Sequence, residues 1–274
     1  MTYIVKKKKK ENPNQWFIDW LEERGLGKYT KQLLVVKEWT ITIIYALILA
    51  TFFKTFFYEN FKIPSGSMNP LLLNGDRVLV NKYYYGYSKV SFPFDLIPLK
   101  NRILAKRKPK RGDIIVFKTK ESEKTGIYYI KRVVGLPHDK VQIKNNQVFI
   151  NGVALEYRKL ETLPANSLYN HNFFESDKYL ENNGIHQHEV LISDINSISG
   201  NTREYIVPEN EYFCMGDNRD NSQDSRFPKE VGFIPLGNIM GKAMCIFFST
   251  KCSWYEIHKW LFSLRLDRFF TAIK

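Results

Sequence analysis

The spacing of apolar residues in this chain changes twice, and each change predicts a different kind of element. Residues 39–57 form a run of 19 positions whose clearly polar members are four threonines and Lys54. As a helix the run would be roughly 28 Å long, close to the thickness of a hydrocarbon core. Lys54 lies near its end, where the ammonium can reach the interface, and Trp39 and Tyr58 suit the two head-group belts. Upstream, Trp16, Phe17, Trp20 and Leu21 recur at helical spacing and predict a short interfacial helix. Beyond residue 60 the period falls to two. Turns at Asn74-Gly75 and Arg111-Gly112 precede strands over residues 77–83 and 114–117, and a further apolar run covers 127–134. A meander follows, with strands at 140–143, 147–150 and 153–155 and turns at Asn145-Asn146 and Asn151-Gly152, residues that tolerate positive φ. No helical period of useful length occurs between residues 60 and 245. Residues 157–200 are polar, rich in Asn, His and Ser, and read as an insertion or a small excursion from the main sheets. The expected fold is mostly β, behind one transmembrane helix.

Composition narrows the classes. With 274 residues, 44% of them hydrophobic, including 16 Tyr and 20 Phe, the chain can bury a sizeable core and is not a disordered protein. Its net charge of +13 suits nucleic acid or anionic head groups, and the apolar run favours the bilayer. A core helix of a soluble protein or a cleaved signal peptide would account for the run less well. The leader is long, and no small-residue cleavage site follows. The run therefore reads as a retained signal anchor. Residues 1–38 hold nine Lys or Arg, including five consecutive lysines at 6–10, which places the N-terminus in the cytoplasm and the main domain outside. A solvated tail that only sets topology explains the lysines as well as lipid recognition does. Ten residues separate Phe57 from Ser67, at most roughly 33 Å of chain, so the segment around Ser67 is expected near the outer membrane surface. Residues 251–274 interleave Trp254, Tyr255, Trp260, Leu261, Phe262, Phe269 and Phe270 with Lys251, Lys259, Arg265 and Arg268. They suit either a membrane-surface segment or an amphipathic helix packed on the sheet. Cys245 and Cys252 could pair, whereas Cys214 reads as a small buried apolar residue.

Three segments carry candidate chemistry: Ile63-Pro-Ser-Gly-Ser-Met-Asn-Pro70, Tyr128-Tyr-Ile-Lys-Arg-Val-Val-Gly-Leu-Pro137 and residues 216–226. A serine hydroxyl attacks only when a base removes its proton. None of the five histidines, His138, His171, His186, His188 and His258, has a triad context. Lys131, inside an apolar strand, would lose solvation and with it part of its basicity, and a neutral amine is a competent base. Taken singly, Lys131 could be an outward strand residue, residues 65–67 a turn and residues 216–226 a polar loop. Asp217, Asp220 and Asp224 lack the spacing and distal Glu of a calcium loop.

Together, in order and wording, these segments resemble the bacterial type I signal peptidases, membrane-anchored Ser–Lys endopeptidases. The resemblance runs from about Phe61 to Ser249. It covers residues 61–68, Gly75-Asp-Arg-Val-Leu-Val-Asn-Lys82, Arg111-Gly-Asp-Ile-Ile-Val-Phe117 with residues 129–137, and residues 216–226. It implies that Ser67 is the nucleophile and Lys131 the general base, with the Ser67 amide and Ser65 hydroxyl as oxyanion hole. Ser222 would hydrogen-bond and aim the lysine, and Asp224, near Arg226 and Arg132, would brace the loop. Phe61, Ile63, Pro64, Met68 and Leu72, with Tyr129 and Ile130, would line shallow pockets for small side chains at substrate positions −1 and −3. Residues 61–65 and 127–130 could pair with the substrate as added strands. The resemblance further implies a mostly β fold of coiled antiparallel sheets around the active site, no cofactor or metal, signal peptides of secretory preproteins as substrates, and residence in the bacterial inner membrane as a single-pass, monomeric enzyme that binds no nucleic acid. At His138 the family usually has glycine, so a positive φ is expected there on a residue that tolerates it. A related self-cleaving repressor lacks a place for the apolar run. An inactive anchored binding protein would not need Ser67, Lys131 and Ser222 intact.

Overall fold

In a computed structural model the chain divides into two units, residues 1–53 and 54–274. The structure describes residues 14–92, 99, 102–104, 107–119, 125–167, 169, 175–193, 197–252 and 263–273. The lysine run at 6–10, His171, His258 and the C-terminal Trp254, Tyr255, Lys259, Trp260, Leu261 and Phe262 lie outside the described residues.

The first unit is helical. α1 (Gln15–Glu23) turns through Gly25 into α2 (Thr30–Phe56), which begins earlier than the apolar run because Lys31, Gln32, Lys37 and Glu38, though polar, sustain a helix. Lys37 ties the two together: its ammonium donates to Asn14 Oδ1 at 2.9 Å and lies 4.6 and 4.7 Å from the Trp16 and Phe17 ring centres. Within α2 the hydroxyls of Thr40 and Thr42 donate to the carbonyls of Val36 and Glu38, so neither threonine needs water. No residue of α2 is buried, and Trp39, Ile43, Leu47, Ile48 and Phe53 are all exposed. It is a candidate membrane span by length and composition.

The second unit is antiparallel β-structure. Its strands are β1 (Tyr58–Lys62), β2 (Asp76–Asn81), β3 (Ile114–Phe117), β4 (Tyr129–Gly135), β5 (Lys140–Lys144), β6 (Gln147–Ile150), β7 (Val153–Ala154), β8 (Glu156–Leu163), β9 (Ser176–Asn182), β10 (Gln187–Ile192), β11 (Tyr205–Ile206), β12 (Glu211–Met215), β13 (Ile234–Pro235), β14 (Ile239–Ser249) and β15 (Thr271–Ala272). The main sheet runs β1-β2-β14-β3-β4-β12-β13, with β15 beside β14. It curls into a half-barrel: the Phe61 ring of the first strand lies 5.0 Å from Tyr128, just before the fifth. Three register shifts in β14 supply the bend, as bulges do. One core fills the inside of the curl, with Ile63, Met68, Leu72, Val78, Val80, Ile114 and Ile246. A second lies across β4 on Val133, Cys214, Phe117 and Ile115.

The β5-β6-β7 meander turns where expected, with φ of 50° and 63° at Asn145 and Asn146 and 53° and 82° at Asn151 and Gly152. His138 stands at φ 71°, the left-handed conformation that glycine would supply without strain. Residues 157–200, read as an insertion or a small excursion from the main sheets, hold β8, β9 and β10, which form a separate three-stranded accessory sheet. Cross-strand ion pairs, Lys159–Asp177 at 2.6 Å and Lys178 with Glu161 and Glu189 at 2.5 and 3.4 Å, occupy positions where alternating apolar residues would have revealed strands. All three cysteines are free, so Cys245 and Cys252 are not bridged, and Cys214 is buried. Arg265 and Arg268, counted above among cations for lipid, turn inward: Arg265 donates to Ser249 Oγ at 2.7 Å and Arg268 holds Asp76 at 2.6 Å. Phe269 packs on Phe248.

Candidate active site

Ser67 sits on a tight loop that follows β1. Two buried side chains, Met68 and Leu72, plug this loop into the inner core, and backbone bonds close it: Ile63 N to Asp76 O at 2.8 Å, Gly75 N to Ile63 O at 3.0 Å and Asn69 N to Gly66 O at 3.1 Å. The Ser65 hydroxyl donates to Ser67 Oγ at 3.3 Å.

Lys131 reaches the same point from β4. Its backbone pairs with Ile115 of β3, and its side chain is 3% exposed. Its amine lies 2.6 Å from Ser67 Oγ. Burial pulls the amine down to a pKa of about 8, against the carboxylates of Asp224 and Asp217, which favour the ammonium. A hydroxyl and a weakly basic amine at hydrogen-bond distance can pass a proton at mildly alkaline pH.

The loop after β12 packs beneath this pair. Gly216 must be glycine: a Cβ there would lie 2.2 Å from Ser222 Oγ and 2.4 Å from Ser67 O. Asp224 accepts from Arg226 Nε at 2.8 Å and Nη2 at 2.9 Å, and from the Gly216 amide at 3.0 Å. Burial alone would raise this carboxyl; Arg226 and the hydrogen bonds outweigh it and hold it below the usual range. Two contacts differ from expectation. Arg132 grips Asp217, by Nε at 2.8 Å and Nη2 at 2.7 Å, rather than Asp224. The Ser222 hydroxyl is buried and makes no hydrogen bond to Lys131; it helps to keep Asp224 ionised. Asn218, unassigned in the sequence, ties the loop to the serine: its amide donates to Ser67 O at 3.2 Å and its Nδ2 to Gly66 O at 3.1 Å.

The expected pocket residues separate into two sets. Phe61 and Ile130 pack on the inner core with Ile63, Met68 and Leu72, of which the last three are buried and can form only a floor. Tyr129 belongs to the other face of β4, where it stacks on Phe117, and Pro64 is exposed. Alternation along β4 puts Tyr129 and Lys131 on one face and Ile130 on the other. Tyr128 was not singled out for a pocket, yet it flanks Phe61 and lies under the Lys118 ammonium at 5.0 Å. β12 pairs with β4 only from Arg132 onward, so on that side residues 129–131 have no neighbouring strand among the described residues.

The family model described as signal peptidase, peptidase S26, matches residues 36–248. Proteins named signal peptidase I from Rickettsia massiliae (strain Mtu5) and Rickettsia typhi (strain ATCC VR-144 / Wilmington) are each 35% identical, over 86% of this chain and 92% of the relative, and over 89% and 96%, respectively. One from Rickettsia bellii (strain OSU 85-389) is 37% identical over 86% of this chain and 85% of its own. A crystal structure of a signal peptidase I from Enterococcus faecalis V583 is 29% identical, with 50% of this chain and 97% of that one covered and a TM-score of 0.29. The sequence relationships carry the assignment: the chain belongs to the signal peptidase family, peptidase S26, the serine endopeptidases that remove signal peptides.

Proposed function

We propose that Ser67 and Lys131 are the nucleophile and general base with which this chain removes signal peptides from secretory preproteins. The preprotein lies extended between residues 61–65 and 127–130, and its small side chains at −3 and −1, which share one face of the extended peptide, meet Phe61 and Ile130. The strand edge left open at residues 129–131 supports this placement. Neutral Lys131 takes the Ser67 proton as Oγ attacks the scissile carbonyl. The Ser67 amide and the Ser65 hydroxyl, turned from Ser67 Oγ towards the new oxyanion, stabilise the tetrahedral intermediate. The lysine then returns its proton to the leaving amine. A water, deprotonated by the same amine, hydrolyses the acyl ester and frees Ser67. Ser222, whose buried hydroxyl otherwise favours ionised Asp224, turns to the amine and aims it. Asp224 with Arg226, and Asp217 with Arg132, keep the loop from yielding.

The same reading places residues 39–58 across the bacterial inner membrane as a single signal anchor, residues 1–38 in the cytoplasm and residues 59–274 outside, in an enzyme that acts as a monomer against the bilayer. It needs no cofactor or metal and binds no nucleic acid. The observation that carries the mechanism is the desolvated amine 2.6 Å from the serine oxygen. The test is incubation of the full-length chain, in detergent, with a preprotein bearing alanine at −3 and −1. The new N-terminus should lie directly after the −1 alanine, and Ser67→Ala should yield no product. Cleavage by Ser67→Ala would refute the assignment.

A further inference from the structure

The loop that carries Asn218 and Ser222 is held from outside by the accessory sheet. Arg219, in the turn after Gly216, is buried, and its ionic partner comes from another part of the chain. Glu181 of β9, also buried, sits 2.6 Å from Arg219 Nη2. Tyr157 of β8 donates its hydroxyl to Glu181 and accepts from Arg219 Nη1 at 2.5 Å. His188 of β10 places Nε2 3.3 Å from the other Glu181 oxygen and 4.0 Å from Asp217. The backbone joins in: Leu191 N donates to Asp217 O at 2.9 Å, and Ser193 N to Asp220 Oδ2 at 2.7 Å. Each of the three accessory strands thus contributes a polar side chain to one buried cluster. A buried ion pair adds little stability over a well-packed apolar replacement, so stability alone does not account for the cluster. What it supplies is a fixed position for Arg219. The loop so fixed runs straight to the nucleophile, because Asn218 donates to the carbonyls of both Gly66 and Ser67.

We propose that Glu181 is a positioning residue for cleavage: through Arg219 it fixes the turn whose Asn218 holds the backbone of Ser67. The proposal rests on the Ser67–Lys131 reading above. It also gives the accessory sheet a task in the reaction, as the outer half of a clamp whose inner half is the serine loop.

The test measures kcat and KM of the full-length chain in detergent, with the preprotein used above, for Glu181→Gln, Arg219→Met, the double variant and Ser67→Ala. Rates are normalised to active sites, at a temperature where near-ultraviolet circular dichroism shows native packing. Glu181→Gln should lower kcat by about ten- to a hundredfold, as a small misplacement does. Its KM should change by less than about twofold, since no substrate contact is lost. The double variant should be no slower than the slower single one, because the pair acts as a unit. A natively packed Glu181→Gln with wild-type kcat, or losses that multiply in the double variant, would overturn the proposal. Should Glu181→Gln fail to fold, Tyr157→Phe keeps both charges and removes one hydrogen bond; it should show a smaller kcat loss at unchanged KM, and wild-type kcat there would equally overturn it. Activity in Ser67→Ala would instead bring down the dyad reading beneath it.

Discussion

At the scale of single residues the site is a contest between burial and charge at Lys131. Its amine is pulled down to about 8 by burial although two carboxylates oppose the shift. Below that pH the folded protein carries a buried ammonium that the unfolded chain would keep in water, so the group costs stability. The cost disappears as pH rises from the folded value towards about 10.4, the value in the unfolded chain. A difference of this size corresponds to roughly 3 kcal/mol. Lys131→Met should therefore be inactive yet more stable at pH 7, by up to about that amount, with the advantage fading by pH 10; urea unfolding at the two pH values measures it. Lys131→Arg should be inactive as well, because a guanidinium does not give up its proton. Ser67 and Lys131 were legible from motif order and from the apolar setting of the lysine. The partner of Arg132 was not: Asp217 and Asp224 stand in one short loop, and only the path of the backbone decides which carboxylate meets the guanidinium fork.

At the scale of elements, the β5-β6-β7 hairpins could be read because their turns demand positive φ and the sequence supplies Asn and Gly there. The left-handed His138 was anticipated on a different ground, the glycine that the family usually has at that position. The accessory sheet escaped notice because its strands are held by cross-strand ion pairs and leave no period of two to find. Its role at the site was hidden for the same reason, since Tyr157, Glu181 and His188 matter only through their shared neighbour Arg219. The catalytic loop also depends on a missing side chain. Gly216→Ala would drive a methyl group into Ser67 O and Ser222 Oγ, and backbone at the nucleophile cannot move without moving Oγ. Its kcat should fall by about a hundredfold or more, with a far smaller change in KM. Wild-type turnover in Gly216→Ala would mean that the loop is free to shift.

At the scale of the whole molecule, one apolar helix and a half-barrel of antiparallel strands meet the expectation drawn from the change of period at residue 60. The curl was anticipated only through the family resemblance, because it arises from register shifts in β14 that leave no mark in the polarity pattern. The molecule also concentrates its acid sensitivity around the catalytic loop. Burial pushes both Glu181 and Asp224 up, but Arg219 with His188, and Arg226, outweigh it, so both folded values lie below the usual carboxylate range. Their contribution is therefore present above the unfolded value, about 4, and is lost as pH falls through the folded values. Each unit of depression is worth about 1.4 kcal/mol. Thermal unfolding should be nearly independent of pH between 5 and 7 and drop steeply below about 4, and Glu181→Gln should show a shallower acid drop than the wild type.

The central claim is that Ser67 is activated by a neutral Lys131, and the pH dependence of kcat/KM tests it most directly. For the full-length enzyme with a preprotein substrate, kcat/KM should rise through one ionisation near pH 8, as the buried amine loses its proton, and then level off. A profile flat across this range, or one still rising at about 10.4, where an ordinary lysine titrates, would contradict it.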